Sequence, residues 1–249
     1  MGLLKGLRDV VGFLTIIPVR LDEESLQNVA DHMFLFPAVG GFLGLLAGCA
    51  AYLLSKIFPE MIVGALVVFI LLTLTGFHHV DGLLDFGDGL MFQGNPEEKI
   101  RVMRDSRVGV GGLILGLMVI LITLLCISKL PQSLIIQCLV VSEASAKLSM
   151  VILALAGRPA CKGLGMCFVE AMHGRRGIPR LTIAMVITFA LGFSLLEMRF
   201  VYVVLASVAT SLVMCAISNR QFKGVTGDVF GATNEVSRMA SLLALLAVV

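Results

Sequence analysis

The chemistry of this chain is concentrated in residues 75–112, TGFHHVDGLLDFGDGLMFQGNPEEKIRVMRDSRVGVGG. Within it, Asp81, Asp85 and Asp88 follow one another at spacings of four and three, which places them on one face of a helix. Three stacked carboxylates repel one another at neutral pH unless a cation sits among them. Hard oxygen ligands without sulfur favour Mg²⁺, with Mn²⁺ as a substitute, over zinc. The competing reading is a solvated acidic helix end. Carboxylates beside a membrane span are costly unless used, which favours the metal. Gly82, Gly87 and Gly89 are interleaved with the aspartates. They leave room for a phosphate, or for a second helix, to approach the backbone.

The same stretch continues into Arg104, Asp105, Ser106 and Arg107, followed by the glycines of VGVGG. Guanidinium groups match phosphate oxygens two at a time, so Arg104 and Arg107 are phosphate-pairing candidates. Asp105 is either a further metal ligand or the orienter of an arginine. Far along the chain, GVTGD at 224–228 opens another apolar run. Thr226 is placed to cap that helix, whose N-terminus attracts phosphate. Asp228 and Glu235, seven residues apart, share a face and are candidates to complete a metal site opposite the Asp81 helix. Helical phase puts His78 on the aspartate face and His79 opposite it.

These residues need elements to hold them, and composition says which. The chain has 249 residues, 58% hydrophobic and only 14% charged, with mean hydropathy +0.99. Soluble domains carry about 25% charged residues, so the expected class is all-α: a single polytopic membrane bundle over 1–249. Residues 1–19 read as an amphipathic helix lying on the membrane or packed on the bundle. They carry charges throughout and no small-residue cleavage site, so no cleavable signal is expected. Asp22 reads as an ordinary linker residue. Seven spans are expected near 34–54, 61–77, 108–127, 134–156, 181–196, 200–217 and 230–249. Gly40, Gly44 and Gly48 form a small-residue stripe on the first. Glu143 and Lys147, four residues apart inside the fourth, are expected to pair with each other. The six cysteines show no zinc spacing and read as reduced and structural.

Of the nineteen Lys and Arg residues, all but Lys56, Lys129, Arg199 and the intramembrane Lys147 fall on alternate connections. Positive residues mark the cytoplasmic side. The N-terminus and all three motif-bearing loops are therefore expected in the cytoplasm, around one site.

GFHHVDGLLDFGDGL followed by MRDSRVGVGG resembles the signature of cobalamin synthase, the adenosylcobinamide-GDP ribazoletransferase family. GFLTIIPVR, FPAVGGFLG, KGLGMCFV and KGVTGDVFGATNE extend the likeness, in order, over nearly the whole chain. The resemblance implies transfer of α-ribazole, or its 5′-phosphate, onto adenosylcobinamide-GDP. The products are GMP and adenosylcobalamin or its 5′-phosphate. It implies Mg²⁺ held by Asp81, Asp85, Asp88 and Asp228, and a proton acceptor among His79, Asp88 and Asp105, the family pattern pointing to His79 over His78. It also implies substrate contacts from Arg104, Ser106, Arg107, Gly109, Gly163, Gly165, Gly224, Thr226 and Gly227. The expected partners are those substrates and the bilayer of the cell membrane, without nucleic acid. A homodimer or other cobalamin-pathway enzymes are left open. Two further readings stand beside this one. A CDP-alcohol phosphotransferase also uses an acidic D-G motif at a membrane, but Asp85-Phe86 stands here where that pattern has Ala-Arg. A secondary transporter would use intramembrane acids as ion sites, but no inverted repeat is visible and the charges cluster at one face.

Overall fold

Long apolar runs of helical length leave the chain few choices, and it folds as helices joined by short turns. A computed structural model describes residues 2–20 and 23–249; Met1 and Asp22 lie outside them. The helices are α1 Leu3–Leu14, α2 Glu23–Asp31, α3 Phe36–Leu54, α4 Glu60–Leu74, α5 His78–Met91, α6 Pro96–Met103, α7 Val110–Lys129, α8 Ile135–Ala156, α9 Leu164–His173, α10 Gly177–Leu196, α11 Phe200–Phe222 and α12 Gly227–Leu246. Among the described residues there is no strand, only an isolated bridge between Pro159 and Val225.

Each of the seven expected spans corresponds to a helix. By length and apolarity, four segments are able to cross a membrane: Met33–Leu54, Val110–Lys129, Ile135–Ala156 and Gly177–Phe222. The bent pair α4 and α5 makes a fifth if taken as one span. The 46-residue segment Gly177–Phe222 is too long for one pass of a bilayer core about 30 Å thick. It doubles back, since a Cβ on Gly192 would lie 2.7 Å from the Cβ of Phe200, eight residues on. Helix α12 carries Asp228, Glu235 and Arg238 within its length, which is why it is not among the apolar segments.

Helix α8 is the hub, buried along most of its length. The glycine stripe of α3 lies directly on it. A Cβ at Gly40 would fall 2.5 Å from the Glu143 carbonyl oxygen, and one at Gly44 2.3 Å from that of Leu139. Small residues permit this backbone approach, the usual basis of helix packing in membranes. Helix α11 is tied to α8 by hydroxyls, with Ser207 donating to the Ser145 carbonyl and Ser211 to that of Ser149.

The charged residues of α8 do not pair with each other as expected. Arg238 of α12 donates to both carboxylate oxygens of Glu143 and to Glu235. Lys147 donates to Asn234 Oδ1 at 2.6 Å. Glu143, Lys147, Asn234, Glu235 and Arg238 are all at most 3% exposed. The planar guanidinium grips two carboxylates from two helices, which a lysine in the same helix cannot do. The sequence spacing is compatible with the local pair, but the longer-range fork wins. Glu235 is thereby committed to Arg238 and does not face the aspartates of α5.

Helix α1 packs by Val10 and Leu14, while Leu3, Leu4 and Leu7 stay exposed. Its buried Asp9 accepts from Asn28 of α2 at 2.7 Å. One side of this helix serves the bundle, and the other leaves its leucines exposed.

Candidate functional site

The aspartate helix is a separate element, bent 95° from α4. Helix α4 ends in a Schellman motif: Phe77 N–H donates to the Leu72 carbonyl and Gly76 N–H to that of Thr73. Gly76 takes φ 61°, the left-handed conformation this ending demands and one that glycine adopts freely. Phe77 follows at φ 61° as the N-cap of α5. The bend sets α5 nearly at right angles to α4.

Helix α5 crosses α12 at close range. A Cβ on Gly82 would fall 2.9 Å from the Asp228 carbonyl oxygen, and one on Gly231 2.9 Å from that of His79. The crossing brings Asp81 and Asp85 to the N-terminus of α12, where Thr226 is the N-cap. Its hydroxyl accepts from Val229 N–H and donates to the Asp228 carboxylate at 3.1 Å.

These pieces enclose a cleft of about 510 Å³. Asp81, Asp85, Asp105 and Asp228 form its acidic lining, joined by Arg104, Ser106, Gly163, Gly165, Thr226 and Gly227. The N-termini of α9 and α12 both open here, and Gly163 provides no side-chain cap to α9. Unsatisfied N–H groups at two helix ends suit phosphate oxygens. Arg104 donates to Cys161 Sγ at 3.2 Å, which holds its guanidinium at the cleft. Burial, then the charges of Asp81, Asp228 and Asp88, push the Asp85 carboxyl up to about 7. Burial also raises Asp228, against the lowering hydrogen bond from Thr226. A site that raises its carboxyls in this way is short of positive charge.

The donor set fits a hard divalent cation. Among the described residues, no three His, Cys, Asp or Glu side chains converge into a ready-made metal cage. Mg²⁺ is ordinarily held by one or two carboxylates, and substrate phosphates and water would have to complete its shell here.

Several expected site residues stand elsewhere. Asp88 points away from the cleft and accepts from the N–H groups of Gly109 and Gly112 at 2.7 and 2.8 Å. It anchors the N-terminus of α7, where unsatisfied N–H groups and the helix dipole both favour a carboxylate. Gly109 is the other half of that anchor. Asp105 does line the cleft, and there it accepts from Arg107 N–H, Nε and Nη2. Those side-chain and then backbone bonds hold its carboxyl down at about 2. It orients Arg107, whose side chain is 87% exposed. Gly224 packs against the backbone of Arg158 and Pro159. His79 is 7% exposed, and its Nδ1 has no partner. It lines a second, more apolar cavity behind Asp81, together with His78. Burial, then the charges of Lys147 and Arg238, hold its pKa well below the usual histidine value.

Lys162, in a basic loop suited to a polyanionic nucleotide, does line the cleft, whereas sequence reasoning did not single out Cys161 or Leu164 as lining residues. Their position beside the GLG glycines was the available signal. Phe13 of α1, which lines the second cavity, had as its signal only its place in the GFLTIIPVR stretch of an amphipathic helix.

The chain matches the family described as Cobalamin-5-phosphate synthase over residues 6–246. It is 33% identical to the adenosylcobinamide-GDP ribazoletransferase of Methanocella arvoryzae, covering 97% of this chain and 95% of that one. Relatives of the same description from Methanococcoides burtonii and Thermococcus kodakarensis are 30% and 32% identical. The first alignment covers 98% of this chain and 92% of the relative, the second 95% and 96%. No solved structure matches the chain.

Proposed function

The chain belongs to the cobalamin-5-phosphate synthase family, and from that premise we propose how its cleft serves the reaction. The activity is that of an adenosylcobinamide-GDP ribazoletransferase, the joining step of cobalamin biosynthesis. A ribose hydroxyl of α-ribazole, or of its 5′-phosphate, forms a bond to the cobinamide-side phosphorus. The bond from that phosphorus to the bridging oxygen breaks, and GMP leaves. The observation that carries the reading is the meeting of Asp81, Asp85, Asp228 and Arg104 with two helix N-termini around one cleft.

Asp81, Asp85 and Asp228 are the residues that would hold Mg²⁺, with Mn²⁺ as a substitute. The ion would neutralise the diphosphate and the developing charge on GMP. Arg104 and the N-termini of α9 and α12 bind and align the phosphates, fixing the phosphorus for attack. Ser106 adds a hydroxyl to the same wall. Arg107, held by Asp105 at the edge of the cleft, presents an exposed cation to incoming phosphate. The groups lining the cleft that can take the hydroxyl proton are its carboxylates, since His79 lines the neighbouring cavity instead. By the distribution of positive charge, the cleft opens to the cytoplasm from the cell membrane. The CDP-alcohol phosphotransferase and transporter readings gain no support from the relatives.

Purified protein supplied with adenosylcobinamide-GDP, α-ribazole and Mg²⁺ releases GMP in step with formation of the joined product. GMP release that ignores α-ribazole, or no release at all, contradicts the reading.

A further inference from the structure

Behind the acidic cleft lies a second cavity of about 350 Å³. Its character differs from that of the first. Phe13 of α1, Met150 of α8, Phe168 of α9 and Phe230 of α12 form its apolar walls. Phe168 sets its edge against both Phe13 and Phe230, each with ring centroids 5.4 Å away. The polar groups facing this chamber are concentrated on α5, where His78 and His79 sit beside Asp81. His79 is more than nine-tenths buried, and its Nδ1 lacks any hydrogen-bond partner in the protein. Such orphans are rare in folded proteins and call for a partner. The two cavities share Asp81, Leu164, Gly227 and Asp228 as a common threshold.

We propose that this second cavity seats the aromatic base of the ribazole acceptor, with His79 as the residue that recognises it. The proposal rests on the transferase reading above and deepens it. A nucleoside with a flat, weakly polar base has two ends of unlike character, and the paired cavities match them. The base lies among the phenylalanine edges, and the ribose reaches over the Asp81–Asp228 threshold toward the phosphates. Edge-on rings prefer the face of another aromatic system. A benzimidazole-type base presents one unsubstituted ring nitrogen, and the orphan Nδ1 of a neutral histidine supplies one hydrogen bond. Guanine or adenine would bring several polar edge groups into these apolar walls, each costly to bury unpaired. The guanosine of the other substrate is therefore excluded from this chamber and stays in the polar cleft. On this assignment, His79 contacts the base and takes no part in proton transfer. Helix α1, apart from any role at the membrane surface, supplies a wall of the acceptor site through Phe13.

The protein has no tryptophan, so the fluorescence of a benzimidazole riboside can be read directly in its presence. Titrating α-ribazole with the full chain in detergent gives a dissociation constant without turnover. Phe13→Ala and His79→Phe should each raise it about tenfold, the size of one lost ring contact or hydrogen bond. Phe13→Leu, which keeps bulk on α1, should recover most of the loss. Adenosine should fail to displace α-ribazole. In turnover, both variants should raise KM for α-ribazole while kcat and the KM for adenosylcobinamide-GDP hold. If His79→Phe does not fold, Phe13→Ala carries the test alone. Unchanged α-ribazole affinity in a folded variant overturns the proposal, as does a loss that falls on kcat or on adenosylcobinamide-GDP. If the wild-type protein itself releases no GMP, the transferase reading has failed and this assignment falls with it. That result is distinct from a defect confined to the variants.

Discussion

Glu143→Gln removes one charge from the buried network that joins α8 to α12, and its cost can be worked from the structure. Glu143 and Glu235 face Arg238, with Lys147 bonded to Asn234 beside them. Two carboxylates and two cations leave the group neutral while it is at most 3% exposed. The substitution keeps the shape but leaves an excess positive charge with no water to solvate it. Removing one partner of a buried pair costs about 3–5 kcal/mol, a large share of the roughly 5–15 kcal/mol that holds a typical domain. For a chain of this length that is a fall of about 10 °C in melting temperature. Tryptophan fluorescence is silent here, but Cys126, Cys138 and Cys215 are buried, so a thiol-reactive dye reports unfolding in detergent. Glu143→Gln combined with Arg238→Gln restores neutrality, and the pair should melt well above the sum of the two single losses. A single variant melting within about 2 °C of the parent, or strictly additive losses, would refute the reasoning.

Three further outcomes follow from the same geometry. Gly82→Ala forces a Cβ to within 2.9 Å of the Asp228 backbone. Helix α12 must then recede by about 0.5 Å at a cost of roughly 1–3 kcal/mol, and GMP release should fall with the melting temperature. Asp88→Ala removes the acceptor for Gly109 and Gly112 and should cost about 1–2 kcal/mol of stability, with the Mg²⁺ midpoint of activity unchanged. The Asp85 carboxyl, raised in the folded protein from 3.8 to about 7, makes its charged form a burden on the fold that grows as pH rises from 4 to 7. A bound cation relieves that burden, so Mg²⁺ should raise the melting temperature more at pH 8 than at pH 6. Its apparent affinity should weaken about tenfold per unit below pH 7 and level off above; a flat profile would count against Asp85 facing the ion.

Much of the scaffold was legible because it rests on local rules. The capping box of Asn95 and Glu98 starts α6 where Asn95-Pro96 breaks the apolar pattern, and Thr226 caps α12 as its position suggests. The stripe of Gly40, Gly44 and Gly48 packs closely, as small residues at that spacing do. What was not legible depends on partners distant in sequence. Helical phase aligns Asp88 with Asp81 and Asp85, but only the fold shows α7 presenting its N-terminus to that carboxylate. The Glu143–Lys147 spacing satisfies the rule for a local pair, and only the docking of α12 brings Arg238 in to compete. The 95° bend before α5 rests on two successive left-handed residues, Gly76 and Phe77. That bend turns the aspartates off the span and into a cleft with Asp228.

The central proposal is that a cation bound with substrate diphosphate sits in the cleft of Asp81, Asp85 and Asp228, and not at Asp88. Mn²⁺ bound to the purified protein in the presence of substrate diphosphate can be counted by electron paramagnetic resonance, with Mg²⁺ as the competitor. The parent should hold Mn²⁺ that Mg²⁺ displaces. Asp81→Asn, Asp85→Asn and Asp228→Asn should each weaken that binding sharply, while Asp88→Asn keeps it and loses only thermal stability. Loss of bound Mn²⁺ in Asp88→Asn, with binding intact in the other three, would contradict the account.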